Sequence, residues 1–370
     1  MVNKEPLPVK EKPLNREPPL AELVSSFYTE SCGYDRNHGP IPRIDPERHR
    51  VVVDGDVHRK LSLSVAQLQH DFPQHEVSCA LQCAGNRRHT MRTLLKEVDG
   101  LDWGDGAVMN CTWGGPRLRD VLLQAGIALS EPSKAHVAFA CYQTYCQDDD
   151  YYGVSIELPR ALRVEAEVVL ALQMNGKTIT PNHGYPVRVI APGVAGARSV
   201  KWLDRITVQR SESSNFYQQR DYKILPAEAT DRQKAKQYWH TVPSVQDMPI
   251  NSAVAVPACG ETVTLSPEGT TIVRGYALPG GADGPIQRVE VSVDDGRTWR
   301  DAEIVDGKDG RGKWCWALWR AEVTLPRAEP GRILSRATDR AGNTQAAGPQ
   351  WNLRGVCYNG YGEARDLVVV

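Results

Sequence analysis

The sequence lacks an excess of charge of either sign. Its 370 residues carry 44 Lys and Arg against 45 Asp and Glu, a formal net charge of −1. That balance argues against nucleic acid as the main partner, because phosphate backbones demand surplus Lys and Arg. A local basic pocket for a small anion is still allowed. No apolar run approaches the roughly 18 residues of a membrane span. The stretch from Met1 to Pro19 mixes Lys, Glu, Arg and Pro and has no secretory apolar region. The nine cysteines contain no paired C-x-x-C, which argues against a structural zinc site. Their odd number, in a chain long enough to need no disulfide framework, points to a reducing compartment. There is no G-x-G-x-x-G, no P-loop and no internal repeat.

What is present divides near residue 245. The length predicts two domains. Residues 1–45 are Pro-rich and read as an extended arm, since the prolines forbid a long helix. Short strands broken by turns follow, such as Val51–Val53 before Asp54-Gly55. Ser64 to His70 and Leu118 to Ala125 read as short helices; 166–174 fits buried strand or helix equally. From Asn251 onward short strands recur about every ten residues, with Asp295-Gly296 as a hairpin turn. Trp314, Trp316 and Leu318 alternate with Cys315, Ala317 and Trp319 in a period of two. The expectation is an α+β chain: a mixed domain over 1–245, a polar linker at 226–248, and an immunoglobulin-like β-sandwich over 246–370.

Four stretches could carry chemistry. In the run from Leu81 to Arg88 (LQCAGNRR), a strand delivers Cys83 to small residues and two guanidinium groups. A thiolate is a soft metal ligand that nearby cations favour, and Arg87 and Arg88 could hold an anion bidentately. The plainer reading is a buried free thiol beside two surface arginines. Cys79 lies on the same face of an extended segment but about 13 Å away, which makes it structural. In the run from His183 to Trp202, small residues allow close backbone approach, and His183, Arg188, Arg198 and Lys201 offer donors. An ordinary loop between strands fits that run as well. Arg36-Asn37-His38 and Asp221-Tyr222-Lys223 complete the set.

Together these stretches resemble the molybdenum-cofactor module of sulfite oxidases, particularly the haem-free plant type. Further matches are Glu17-Pro18-Pro19, Trp113-Gly114-Gly115, Met174-Asn175-Gly176 and the run from Trp351 to Val356 (WNLRGV). The resemblance implies a molybdopterin domain followed by an immunoglobulin-like dimerisation domain. Cys83 would ligate molybdenum, with one molybdopterin per chain and no haem. Tyr34, Asp35, Arg36, Asn37, His38, His183, Arg188, Ser199, Val200 and Lys201 would contact the cofactor. Arg36, Arg88 and Tyr222 would form the anion pocket, with Trp113 lining it. The implied activity is oxidation of sulfite by oxygen-atom transfer in a homodimer, with electrons leaving to oxygen or an external acceptor. The chain ends in Val368-Val369-Val370 without a peroxisomal signal, and the expected compartment is the cytoplasm.

The sequence departs from the family pattern at Gln143, where an acid is usual. Asp148, Asp149 and Asp150 are candidate replacements. A Trp-His-Arg ending is replaced by Tyr361, Gly362 and Glu363, leaving Arg365 as the nearest substitute for a third pocket arginine. Two alternatives stay open. A nitrate-reducing relative is suggested by Ile250-Asn251-Ser252-Ala253, although nitrate reductases usually carry Asn in place of Tyr222. A cofactor-free binding protein with a degenerate enzyme domain is the other.

Overall fold

The computed structural model describes residues 13–30, 33–305, 312–326 and 331–370. Residues 1–12 of the expected arm and Cys32 lie outside the described residues.

Alternation of buried and exposed side chains builds the first sheet. Val51 and Val53 are fully buried on the strand Arg50–Gly55. This strand lies between Leu61–Ser64 and Arg205–Gln209, and His136–Cys141 and Tyr152–Glu157 complete the five-stranded order. Arg50–Gly55 and Arg205–Gln209 run parallel; the other pairs are antiparallel. Both expected helices are present. Ser64 caps Val65–His70 with a reciprocal Ser64–Gln67 capping box. Leu118–Ala125 buries Leu118, Val121, Leu122 and Ala125, one face of a helix, against the sheet. In the ambiguous segment 166–174, Ala166 closes a short 3-10 turn and the rest runs into the strands Val169–Ala171 and Gln173–Met174.

A second sheet presents the site. Gln74–Gln82 pairs antiparallel with Val108–Pro116, and the short strands Gln173–Met174 and Lys177–Thr178 extend it. Cys79 is cross-strand partner to Cys111, and both are fully buried free thiols. The strand ends at Gln82 and so delivers Cys83 to the tight turn that follows. Arg87 takes a left-handed conformation, φ 66°, and opens the helix Arg88–Leu94, which sequence periodicity did not reveal.

Two sheets pack face to face over a shared core in the C-terminal part. One runs Asn251–Val256, Thr270–Leu278, Ala317–Thr324, Glu303–Val305; the other runs Thr262–Val263, Gly362–Val369, Gly331–Asp339, Ile286–Ser292, Arg300–Asp301. Arg300–Asp301 and Glu303–Val305, neighbours in sequence, therefore lie in different sheets. Asp295 and Gly296 both have positive φ, as a two-residue hairpin turn requires. The tryptophan alternation has two buried faces. Ala317, Trp319, Ala321 and Val323 fill the sandwich core, whereas Trp316 and Leu318 pack with Leu23, Val24 and Val108 of the N-terminal part. The supposed polar linker is also structured. It carries the helix Arg232–Ala235, and Ala235, Tyr238, Trp239 and Val242 pack against Trp351 and Leu353.

Candidate active site

One cavity of about 730 Å³, open volume at its mouth included, gathers residues from distant parts of the chain. Tyr34, Arg36, Asn37 and His38 come from the arm and Cys83 from the end of its strand. His183, Arg188, Ser199, Val200 and Lys201 come from the glycine-containing run, and Tyr222 from the segment after it. The size suits a cofactor-sized ligand.

Arg36, His38 and Tyr222 form a chain of hydrogen bonds. Arg36 Nη2 lies 3.2 Å from His38 Nδ1, and His38 Nε2 lies 2.8 Å from Tyr222 Oη. A guanidinium only donates, so Nδ1 accepts. Burial, with Arg36, Arg354 and Lys201 nearby, holds the His38 pKa well below its ordinary value. The ring is therefore neutral, with its proton on Nε2 donated to Tyr222. The Tyr222 hydroxyl then has its own proton to offer to the cavity. Burial, followed by the neighbouring Asp221, pushes its pKa up, so it stays a phenol. The His38 ring also rests on Tyr217, with centroids 4.1 Å apart.

The opposite side is cationic and largely buried. Arg188 donates to the carbonyls of His183 at 2.7 Å and Ser199 at 3.1 Å. Its buried Nε has no partner among the described residues. Burial lowers its pKa to about 10. Lys201 donates to Asn37 Oδ1 and, at 2.9 Å, to the Asn182 carbonyl. Burial and the nearby Arg188 lower its pKa to about 7. The same two causes lower His183 to about 4. Cations held out of water at this cost select for an anion.

Cys83 is buried and its sulfur faces the Gly85 N–H at 3.4 Å. Burial pushes its thiol pKa up, opposed by Arg88, Arg36 and that N–H. The peptide and the two cations are poised to stabilise a thiolate once a metal replaces the proton.

Several expected residues stand elsewhere. Asp35 does not line the cavity; it is fully buried behind it, accepting from Arg16 at 2.6 Å and Asn182 at 2.9 Å. Arg88 lies one layer back, donating to the carbonyls of Arg354, Gly355 and Leu101. Trp113 is not a lining residue: it is completely buried beneath the Arg188 guanidinium, 5.0 Å from its ring centroid. Gln143 donates to Asp204 at 2.8 Å, and neither Gln143 nor any of Asp148, Asp149 and Asp150 lines the cavity. Arg365 points away, to Thr93 Oγ1. The additional guanidinium near the pocket is Arg354, which pairs with Asp221 beside Tyr222. Arg354 belongs to the matched run from Trp351 to Val356, but only tertiary packing brings it to the pocket. Leu81 and Trp202, the ends of two of the singled-out runs, also line the cavity, as do Met109, Thr144, Cys146 and Tyr152, which carried no sequence signal.

The family description "Oxidoreductase molybdopterin binding domain" fits residues 38–217, and "Mo-co oxidoreductase dimerisation domain" fits 242–364. The chain is 42% identical to the sulfite oxidase of Gallus gallus over 94% of its own length and 74% of that protein's. It belongs to the sulfite oxidase family. The sulfite oxidase of Arabidopsis thaliana is 37% identical, with 93% of this chain and 89% of that protein covered. Among solved structures, the sulfane dehydrogenase SoxCD of Paracoccus pantotrophus superposes with a TM-score of 0.73 at 21% identity, covering 100% of this chain and 94% of the other, a likeness of fold.

The molybdenum–molybdopterin of the sulfite oxidase family fits what this cavity offers. It needs a soft thiolate donor, which Cys83 supplies, and donors for an anionic, heteroatom-rich group, which Arg188 and Lys201 supply. The orphaned Arg188 Nε is a donor that such a group would satisfy.

Proposed function

We propose that this chain oxidises sulfite at a molybdenum centre held by Cys83. One sulfite and one water give one sulfate, two protons and two electrons. One observation carries the reading: a buried thiol, a phenol with a free proton and several buried cations converge on one cavity. The cofactor supplies the oxygen-atom and two-electron chemistry; the protein binds, orients and tunes.

The protein's own part follows from the geometry. Arg36 and the Tyr222 phenol hold the substrate anion, with Arg88 and Arg354 adding positive potential from behind. Donors fixed in place and shielded from water pay little reorganisation when charge moves during reaction. His38 stays neutral, so it fixes the phenol without adding charge. Arg188, Lys201, Asn37 and Ser199 hold the cofactor, and His183 and Val200 shape its bed. Asp35 supports His183 and the arm from behind.

The finer features belong to the same reading. Two facing sheets with the Asp295-Gly296 hairpin support an immunoglobulin-like type for the C-terminal unit. The dimerisation-domain match supports a homodimer. Electrons go to oxygen or to an acceptor outside these 370 residues. The compartment is proposed as reducing, such as the cytoplasm, on the odd cysteine count of a chain long enough to need no disulfide framework.

Nitrate reduction is the second reading, and the residues that suggested it lie away from the cavity. Asn251 and Ser252 lie on a sandwich strand and take the Arg87 guanidinium, a structural role. The test is turnover of the holoenzyme with sulfite and, in parallel, with reduced enzyme and nitrate. Sulfate formation that Cys83→Ser abolishes supports the proposal. Near-normal turnover in Cys83→Ser, or turnover with nitrate alone, overturns it.

A further inference from the structure

The N-terminal arm crosses the back of the anion pocket. Asn15–Arg16 pairs antiparallel with Asp35–Arg36, Asn15 opposite Arg36. The Asn15 side-chain oxygen accepts two hydrogen bonds, from the Asn37 backbone N–H at 3.0 Å and from Arg36 Nη1 at 3.2 Å. Its amide nitrogen donates to the Pro13 carbonyl at 3.0 Å, so the orientation of the amide is set by its partners. The Leu14 carbonyl accepts from Asn37 Nδ2 at 2.9 Å, and Asn37 Oδ1 in turn receives Lys201.

The arm is anchored on the C-terminal side of this contact. Glu17 accepts from the N–H groups of Gly104 at 2.7 Å and Gly106 at 2.9 Å. Beyond it, Leu23 and Val24 are buried against Tyr276 and Trp316. A segment pinned in this way can hold a neighbouring side chain still.

We infer that Asn15 is a positioning residue for substrate binding: it fixes the Arg36 guanidinium in the orientation that receives the substrate oxyanion. Arg36 Nη1 spends its two protons on Asn15 Oδ1 and the Asn37 carbonyl, the latter at 2.5 Å, and Nη2 spends one on His38. Among the described residues, Nε and the second Nη2 proton take no acceptor, which leaves one edge of the fork for an anion. Without Asn15 the guanidinium loses one of its anchors and gains rotamer freedom that anion binding must then freeze. The inference rests on the functional reading above for the identity of the anion.

The test compares wild type, Asn15→Ala, Asn15→Asp and the exposed arm variant Glu22→Gln as molybdenum-loaded holoenzymes. Two readouts are taken: sulfate binding by titration calorimetry, and KM and kcat for sulfite. Asn15→Ala should weaken sulfate binding and raise the sulfite KM by about tenfold, the scale of one charge-assisted hydrogen bond. Its kcat should stay within about twofold, because the anchor serves substrate and transition state alike. Asn15→Asp keeps the acceptor but sets a negative charge against Arg36, and should fall between. Glu22→Gln should match wild type. Equal sulfate affinity in wild type and Asn15→Ala overturns the inference, as does a fall in kcat that merely tracks lost molybdenum. Wild type that binds sulfate but does not oxidise sulfite contradicts the functional reading instead, and the affinity ratio still decides this one.

Discussion

Tyr222, His38 and Lys201 show how a single protonation state decides what a residue can do. Tyr222 offers its proton to the cavity because a neutral His38 already donates to its oxygen at 2.8 Å. Tyr222→Phe removes that donor and strands the His38 Nε2 proton. The expected result is a fall in kcat/KM for sulfite of about tenfold or more, with molybdenum content unchanged. Lys201 carries a pKa of about 7 against an ordinary 10.5. Between those values the unfolded chain holds a proton that the folded, anion-free protein has released. Lys201 therefore costs stability in full below pH 7, and the cost is relieved as pH rises through the window. The urea midpoint of cofactor-free protein should rise from pH 7 toward pH 9, measured as the difference from Lys201→Met, which lacks this contribution. A difference that is flat or falls over that range contradicts the assignment.

At the scale of elements, the loop after Cys83 is bolted to the sandwich. Arg87 is fully buried and donates to Asn251 Oδ1 at 2.7 Å and to the carbonyls of Ser252, Gly360 and Tyr361. Asn86 donates to the Tyr276 hydroxyl at 2.9 Å and accepts from the Ala107 N–H. Arg87→Ala leaves these acceptors buried and unpaired, and should cost about 3–5 kcal/mol in chemical denaturation. The sequence made Arg87 look like a surface or anion-binding arginine, because nothing local shows that a domain distant in sequence will cover it. What it did reveal were local signals: the capped helix at Val65–His70, the face of Leu118–Ala125 and the turn at Asp295-Gly296. The cavity residues named by motif resemblance were gathered from four separate segments, which periodicity alone could not have done. The places of Arg354, Trp202 and Tyr152 at the pocket were missed because they depend on tertiary packing, as was the burial of Trp113 beneath Arg188.

At the scale of the molecule, the site and the sandwich are one mechanical unit. Trp316 and Leu318 face the N-terminal part while Trp319 fills the sandwich core, so the strand Ala317–Thr324 and the residues before it serve both. The homodimer reading predicts a sedimenting particle of twice 41.0 kDa at micromolar concentration. A single-chain particle throughout that range contradicts it. The central claim is that Cys83 holds a molybdenum centre which sulfite reduces. Its most direct test is a metal assay with an anaerobic sulfite titration of purified holoprotein, followed by optical and paramagnetic spectra. The account predicts one molybdenum per chain, reduced by sulfite with sulfate as product; protein that carries molybdenum unmoved by sulfite, or none when made in a host that supplies the cofactor, would contradict it.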